Sequence, residues 1–101
     1  MFHCLAWLIR EIIKLGAVLT TGSCNNAGYP SGYPALFGDP SDRNHIPDLI
    51  VVGSVQGDGV IGPYANADWV TCYAPGVLLR AATSDGSGGY KEWTGGTSYC
   101  A

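Results

Sequence analysis

Phe2, Leu5, Leu8, Ile9, Ile12 and Ile13 recur at the three- and four-residue spacing of a helix, with Arg10, Glu11 and Lys14 on the opposite arc. The spacing predicts an amphipathic helix that stops at Gly16, because glycine takes up the left-handed backbone of a helix C-terminus at little cost. The pattern then changes. Ala17 to Gly22 is short, carries β-branched residues and reads as a buried strand. Leu49 to Val55 is nearly continuous in Ile and Val, as parallel strands covered on both faces are. Helix, strand, loop, strand in that order predicts an α/β fold with a partial parallel sheet.

Residues 23–47, rich in Asn, Gly, Pro and Tyr, form a connection long enough to suggest a task of its own. Gly57-Asp58-Gly59 predicts a tight turn, and Asp68 to Tyr73 a short strand broken by Ala74-Pro75-Gly76. Val77 to Ala82 and Tyr90 to Trp93 flank a polar Gly/Ser segment and predict a C-terminal hairpin. Asp39, Asp42, Asp48, Asp58 and Asp68 are dispersed over turn segments and read as turn formers, since a calcium loop needs a tight alternating array. Trp7, Trp69 and Trp93 read as core or surface-packing aromatics.

With 101 residues, 47% of them hydrophobic and 13% charged, the chain is expected to form a single domain spanning 1–101. Its five Lys and Arg are scattered and its net charge is −3, so no basic stripe is available for phosphates and nucleic acid is not an expected partner. Cys4, Cys24, Cys72 and Cys100 match no zinc spacing, and neither a metal nor a cofactor is expected. The first fifteen residues lack a basic n-region. Arg10, Glu11 and Lys14 interrupt them well short of the roughly 20 apolar residues of a spanning helix, so no membrane partner is expected and no export signal is read.

Gly96-Thr97-Ser98 taken alone is a loop tripeptide, for a serine hydroxyl is a poor nucleophile without an adjacent base. Its surroundings give it a context. Cys24-Asn25-Asn26-Ala27-Gly28 follows the first strand, then come Gly28-Tyr29-Pro30 and Tyr33-Pro34, the strand Leu49 to Val55, Ala74-Pro75-Gly76-Val77 and finally Gly96-Thr97-Ser98. Five motifs in this order, spread over nearly the whole chain, resemble the C-terminal part of the catalytic domain of subtilisin-like serine proteases.

The resemblance implies a serine endopeptidase working through an acyl-enzyme on Ser98, with Asn25 and the Ser98 backbone N–H as oxyanion donors. It implies that Cys24, Asn26 and Gly28 line part of the substrate pocket, and that the partner is a peptide or protein substrate. The family's Asp and His-Gly-Thr motifs do not occur here; His3 and His45 stand in other contexts and read as an ordinary helix-end and loop histidine. The chain by itself is therefore expected to be inactive, and a complementing N-terminal protease segment is the implied second partner. Two further departures are Cys24, where the family has glycine before the asparagine, and Cys100, where it has a small residue. A Cβ at position 24 disturbs the turn if φ there is positive. The alternatives are a non-catalytic remnant that binds peptide or protein, and a small secreted disulfide-bonded protein.

Overall fold

The computed structural model describes residues 2–101, and the side chains of all of these except Phe2, Trp93 and Thr94. The expectations that Phe2 joins the apolar stripe and that Trp93 packs in the core or on the surface lie outside the described side chains.

Helix α1 spans Phe2–Lys14. It ends as its sequence predicts: Gly16 has φ 94°, its N–H donates to Ile13 O, and the Ala17 N–H donates to Ile12 O. This is the Schellman pattern, in which two carbonyls of the last turn regain donors. Ala6 and Ile9 are buried against Ala35, Phe37, Ile46, Leu49, Val51 and Val70, with Ile13 packed at the margin. The Arg10 guanidinium clamps the helix to the following loop by donating to Asn44 O at 3.0 Å. Trp7 takes no part in this core and is 62% exposed.

Three parallel strands follow, β1 (Thr20–Gly22), β2 (Ile50–Val55) and β3 (Cys72–Pro75), in the spatial order β1-β2-β3. The central strand is the buried one, with Val51 at 0% and Val52 at 4% exposure. Strand β1 differs from its expectation. It is three residues long rather than six, and Val18 before it is 75% exposed, because it pairs only with β2 and forms an edge.

The third strand also differs. Asp68 to Val70 form a turn closed by Val70 N–H to Ala67 O, and pairing with β2 begins at Cys72 and runs through Ala74 and Pro75. Ala74 and Pro75 therefore belong to the strand, and the break comes only at Gly76. Strand β3 has a ladder partner on one side only, so Pro75 gives up no bond to a second neighbour. Strands β4 (Val77–Ala82) and β5 (Tyr90–Gly95) form the expected antiparallel hairpin, and the chain closes with the single turn α2 (Thr97–Cys100). The architecture is thus a mixed α/β fold of one main helix, a three-stranded parallel sheet and a two-stranded hairpin.

Three of the five aspartates read as turn formers act in that way: Asp39, Asp42 and Asp58 each accept the backbone N–H two residues on. Among the described residues no helix is long and apolar enough to cross a membrane.

Candidate active site

The site lies where β1 ends and α2 begins. Strand β1 continues its pairing with a Ser23 N–H to Val52 O bond, and the buried Ser23 hydroxyl then donates to Ala65 O at 2.6 Å. The next residue, Cys24, has φ 87°. The condition that made a cysteine unfavourable here is therefore met, at a cost of about 1–2 kcal/mol for a Cβ in the left-handed region. The bend is held from the other side by Ala65 N–H to Cys24 O at 3.2 Å and Asn66 N–H to Gly28 O at 2.8 Å. It presents Asn25 outward.

On the facing side, Gly96 precedes α2 with φ 159° and ψ 158°, a combination open to glycine. Its N–H donates to Gly76 O at 2.8 Å. Thr97 is 2% exposed and meets Asn25 directly: the Asn25 side-chain oxygen accepts the Thr97 backbone N–H at 2.9 Å and the Thr97 hydroxyl at 3.1 Å. Ser98 follows and is exposed, as is Asn25. With two donors on its oxygen, the Asn25 carboxamide is fixed in orientation and its NH2 is turned away from Thr97.

Glycines make this approach possible. A Cβ on Gly22 would stand 2.6 Å from the Thr97 hydroxyl oxygen, one on Gly76 2.1 Å from Cys100 Sγ, and one on Gly95 2.0 Å from Gly76 O. Bare backbone from β1 and the β3–β4 junction thus forms the seat of α2, and the end of β5 lies directly against that junction. Thr20 adds a hydroxyl bond to Ala101 O at 3.1 Å.

Of the residues singled out by sequence, Asn25 and the Gly96-Thr97-Ser98 segment come together across 72 positions of chain. Cys24 lies on the same bend, half-buried, its thiol 4.0 Å from Gly32 O. Asn26 and Gly28 are exposed further along that loop. His45 sits in the 42–45 turn with its N–H on Asp42 O, and His3 lies in a shallow apolar hollow with Cys4, Trp7 and Leu8. Neither is hydrogen-bonded to Ser98. The role of Thr97 as the group that holds Asn25 was not read from the sequence, nor was the seat formed by Gly22 and Gly76 or the approach of Gly95 to Gly76.

Asn25, Thr97 and Ser98 carry no formal charge. Burial pushes the Cys100 thiol above its ordinary range, against a smaller pull from the Ser54 hydroxyl, so it stays protonated at neutral pH. All four cysteines are free thiols. No family model matches the chain, and no curated protein matches it significantly.

Proposed function

We propose that this chain carries the nucleophile and oxyanion half of a subtilisin-like serine endopeptidase site. In this reading the Ser98 hydroxyl attacks the scissile carbonyl of a peptide, and the oxyanion that develops is met by the Asn25 NH2 and the Ser98 backbone N–H. Cys24, Asn26 and Gly28 border the bound peptide. The reading draws its main support from one contact, the double hydrogen bond from Thr97 to the Asn25 oxygen, which fixes the carboxamide against the residue that precedes Ser98.

A hydroxyl needs a base, and none of the described hydrogen bonds supplies one to Ser98. The Asp and His are contributed by a complementing protease segment. Loss of the base in subtilisin, the type example of this site, costs about 10⁶ in kcat, so the chain alone is inactive on this account.

The test is complementation. The chain is refolded with the N-terminal segment of a subtilase that carries the Asp and His-Gly-Thr motifs, and hydrolysis of a peptide substrate is followed. Activity that needs both pieces and disappears in Ser98→Ala supports the reading. Activity that survives Ser98→Ala contradicts it, as does a stable two-piece complex without hydrolysis.

A further inference from the structure

Beneath the Ser98 turn, Ser54 of β2 is 3% exposed, and its hydroxyl is the one buried side-chain group without a hydrogen-bond partner among the described residues. Leaving such a group unpaired costs about 1–3 kcal/mol. Its surroundings are specific. The points where a Cβ would stand on Gly62 and on Gly76 both lie 2.8 Å from Ser54 Oγ, and the Gly76 point lies 2.1 Å from Cys100 Sγ. Thiol and hydroxyl therefore meet over bare glycine backbone. The hydroxyl is close enough to pull the thiol's pKa down in the way a hydrogen-bond donor does, yet the two groups as placed fall outside hydrogen-bond geometry, which leaves the Ser54 hydroxyl unsatisfied. On its other side Sγ donates to Gly96 O at 3.7 Å, the carbonyl two residues before Ser98.

We propose that Cys100 is an oxidative modification site whose sulfenic acid is held by the Ser54 hydroxyl. One oxygen added to Sγ enters the space between the two groups and accepts the hydrogen bond that Ser54 otherwise lacks. The oxidant is a peroxide. The thiolate attacks one peroxide oxygen, an S–O bond forms and the O–O bond breaks. Sulfur loses two electrons, and the departing oxygen leaves with them and takes a proton to become water. With hydrogen peroxide the balance is Cys–SH + H2O2 → Cys–SOH + H2O.

The site favours persistence of the product over speed of its formation. A half-buried, protonated thiol reacts slowly, and exposed Cys4 and Cys72 are oxidised first. Their sulfenic acids meet other thiols in solution and condense to disulfides, whereas one recessed against Gly76 is shielded from that second reaction. Oxidation also removes the S–H that Gly96 O accepts, so the modification reports on the backbone leading into Ser98. The inference stands independently of the role proposed for Ser98.

The experiment uses the full chain. It is treated with hydrogen peroxide, the excess is removed with catalase, and samples are quenched at intervals into dimedone with guanidinium. Peptide mass spectrometry then reads each cysteine. Dimedone adducts at Cys100 are expected to persist after those at Cys4 and Cys72 have decayed, and Ser54→Ala is expected to shorten that persistence by about tenfold, the effect of one lost hydrogen bond. Decay at Cys100 as fast as at the exposed cysteines in the unsubstituted chain overturns the proposal without any variant. Unchanged persistence in a folded Ser54→Ala chain overturns the assignment of Ser54.

Discussion

The side-chain oxygen of Asn25 accepts both the N–H and the hydroxyl of Thr97, at 2.9 and 3.1 Å, joining two segments 72 residues apart. The contact fixes which end of the carboxamide faces Thr97. Its two halves are separable by substitution. Thr97→Val removes the hydroxyl donor at similar volume and is expected to lower unfolding free energy by about 1 kcal/mol in denaturant titration. Asn25→Asp keeps an acceptor for both donors, so stability is expected to hold within about 1 kcal/mol. It removes the NH2, however, and in a complemented enzyme kcat is expected to fall by about 10²–10³ with KM little changed, a magnitude taken from subtilisin itself. Loss of fold in Asn25→Asp, or full kcat, would contradict the assignment.

The close approach of Gly95 to Gly76 makes a second prediction. Gly95 has φ 100° and a Cβ there would stand 2.0 Å from Gly76 O, so Gly95→Ala combines overpacking with left-handed strain. A loss of about 3 kcal/mol is expected. Gly57, with nothing within 4 Å of its Cβ position, is the matched control, and Gly57→Ala is expected to stay within about 0.5 kcal/mol. Thermal unfolding of the two variants side by side distinguishes a packed contact from a loose one.

Cys24 holds φ 87° with a side chain partly packed on the core. Replacing it by glycine relieves the left-handed strain but adds chain entropy and loses the packed thiol, so Cys24→Gly is expected within about 1 kcal/mol of the parent. Cys24→Val puts a β-branched residue where φ is positive and is expected to cost about 2 kcal/mol or more. Equal stabilities for the two variants would show that the bend does not have this conformation.

The hairpin loop supplies a pH test. Asp85 accepts from the Ser87 side chain and N–H and from the Thr83 hydroxyl, which lower its pKa to about 2. The folded value lies below the unfolded value of about 3.9. What the ionised carboxylate contributes is therefore fully present above pH ~4 and is lost as pH falls through about 2. Carbon-13 NMR of the carboxyl group is expected to give a midpoint near 2; a midpoint near 4 would mean that these loop bonds do not persist in solution.

Much of the fold follows from local pattern. Helix α1 with its stop at Gly16, the central strand β2 and the hairpin strands each have a periodicity or turn residue that acts over a few positions. Non-local pairing decides the rest. Whether Ala17 to Gly22 is buried depends on having neighbours on both sides, and β1 has one; whether Pro75 can sit within a strand depends on which edge it faces. In the candidate site, the order of the motifs pointed to the two segments that meet, the Asn25 bend and Gly96-Thr97-Ser98. The role of Thr97 was not legible, because its buried hydroxyl is meaningful only once a partner 72 positions away is in place. Ser54 did carry a signal, a lone hydroxyl inside the apolar run Leu49 to Val55.

Nucleophilicity at position 98 is the claim on which the functional account rests, and a fluorophosphonate probe with peptide mass mapping measures it directly. In the chain alone, no labelling is expected. With the Asp- and His-bearing segment added, the phosphonyl mass is expected on Ser98 and is expected to vanish in Ser98→Ala. Labelling of the chain by itself, or of the complemented pair at any other residue, would contradict the account.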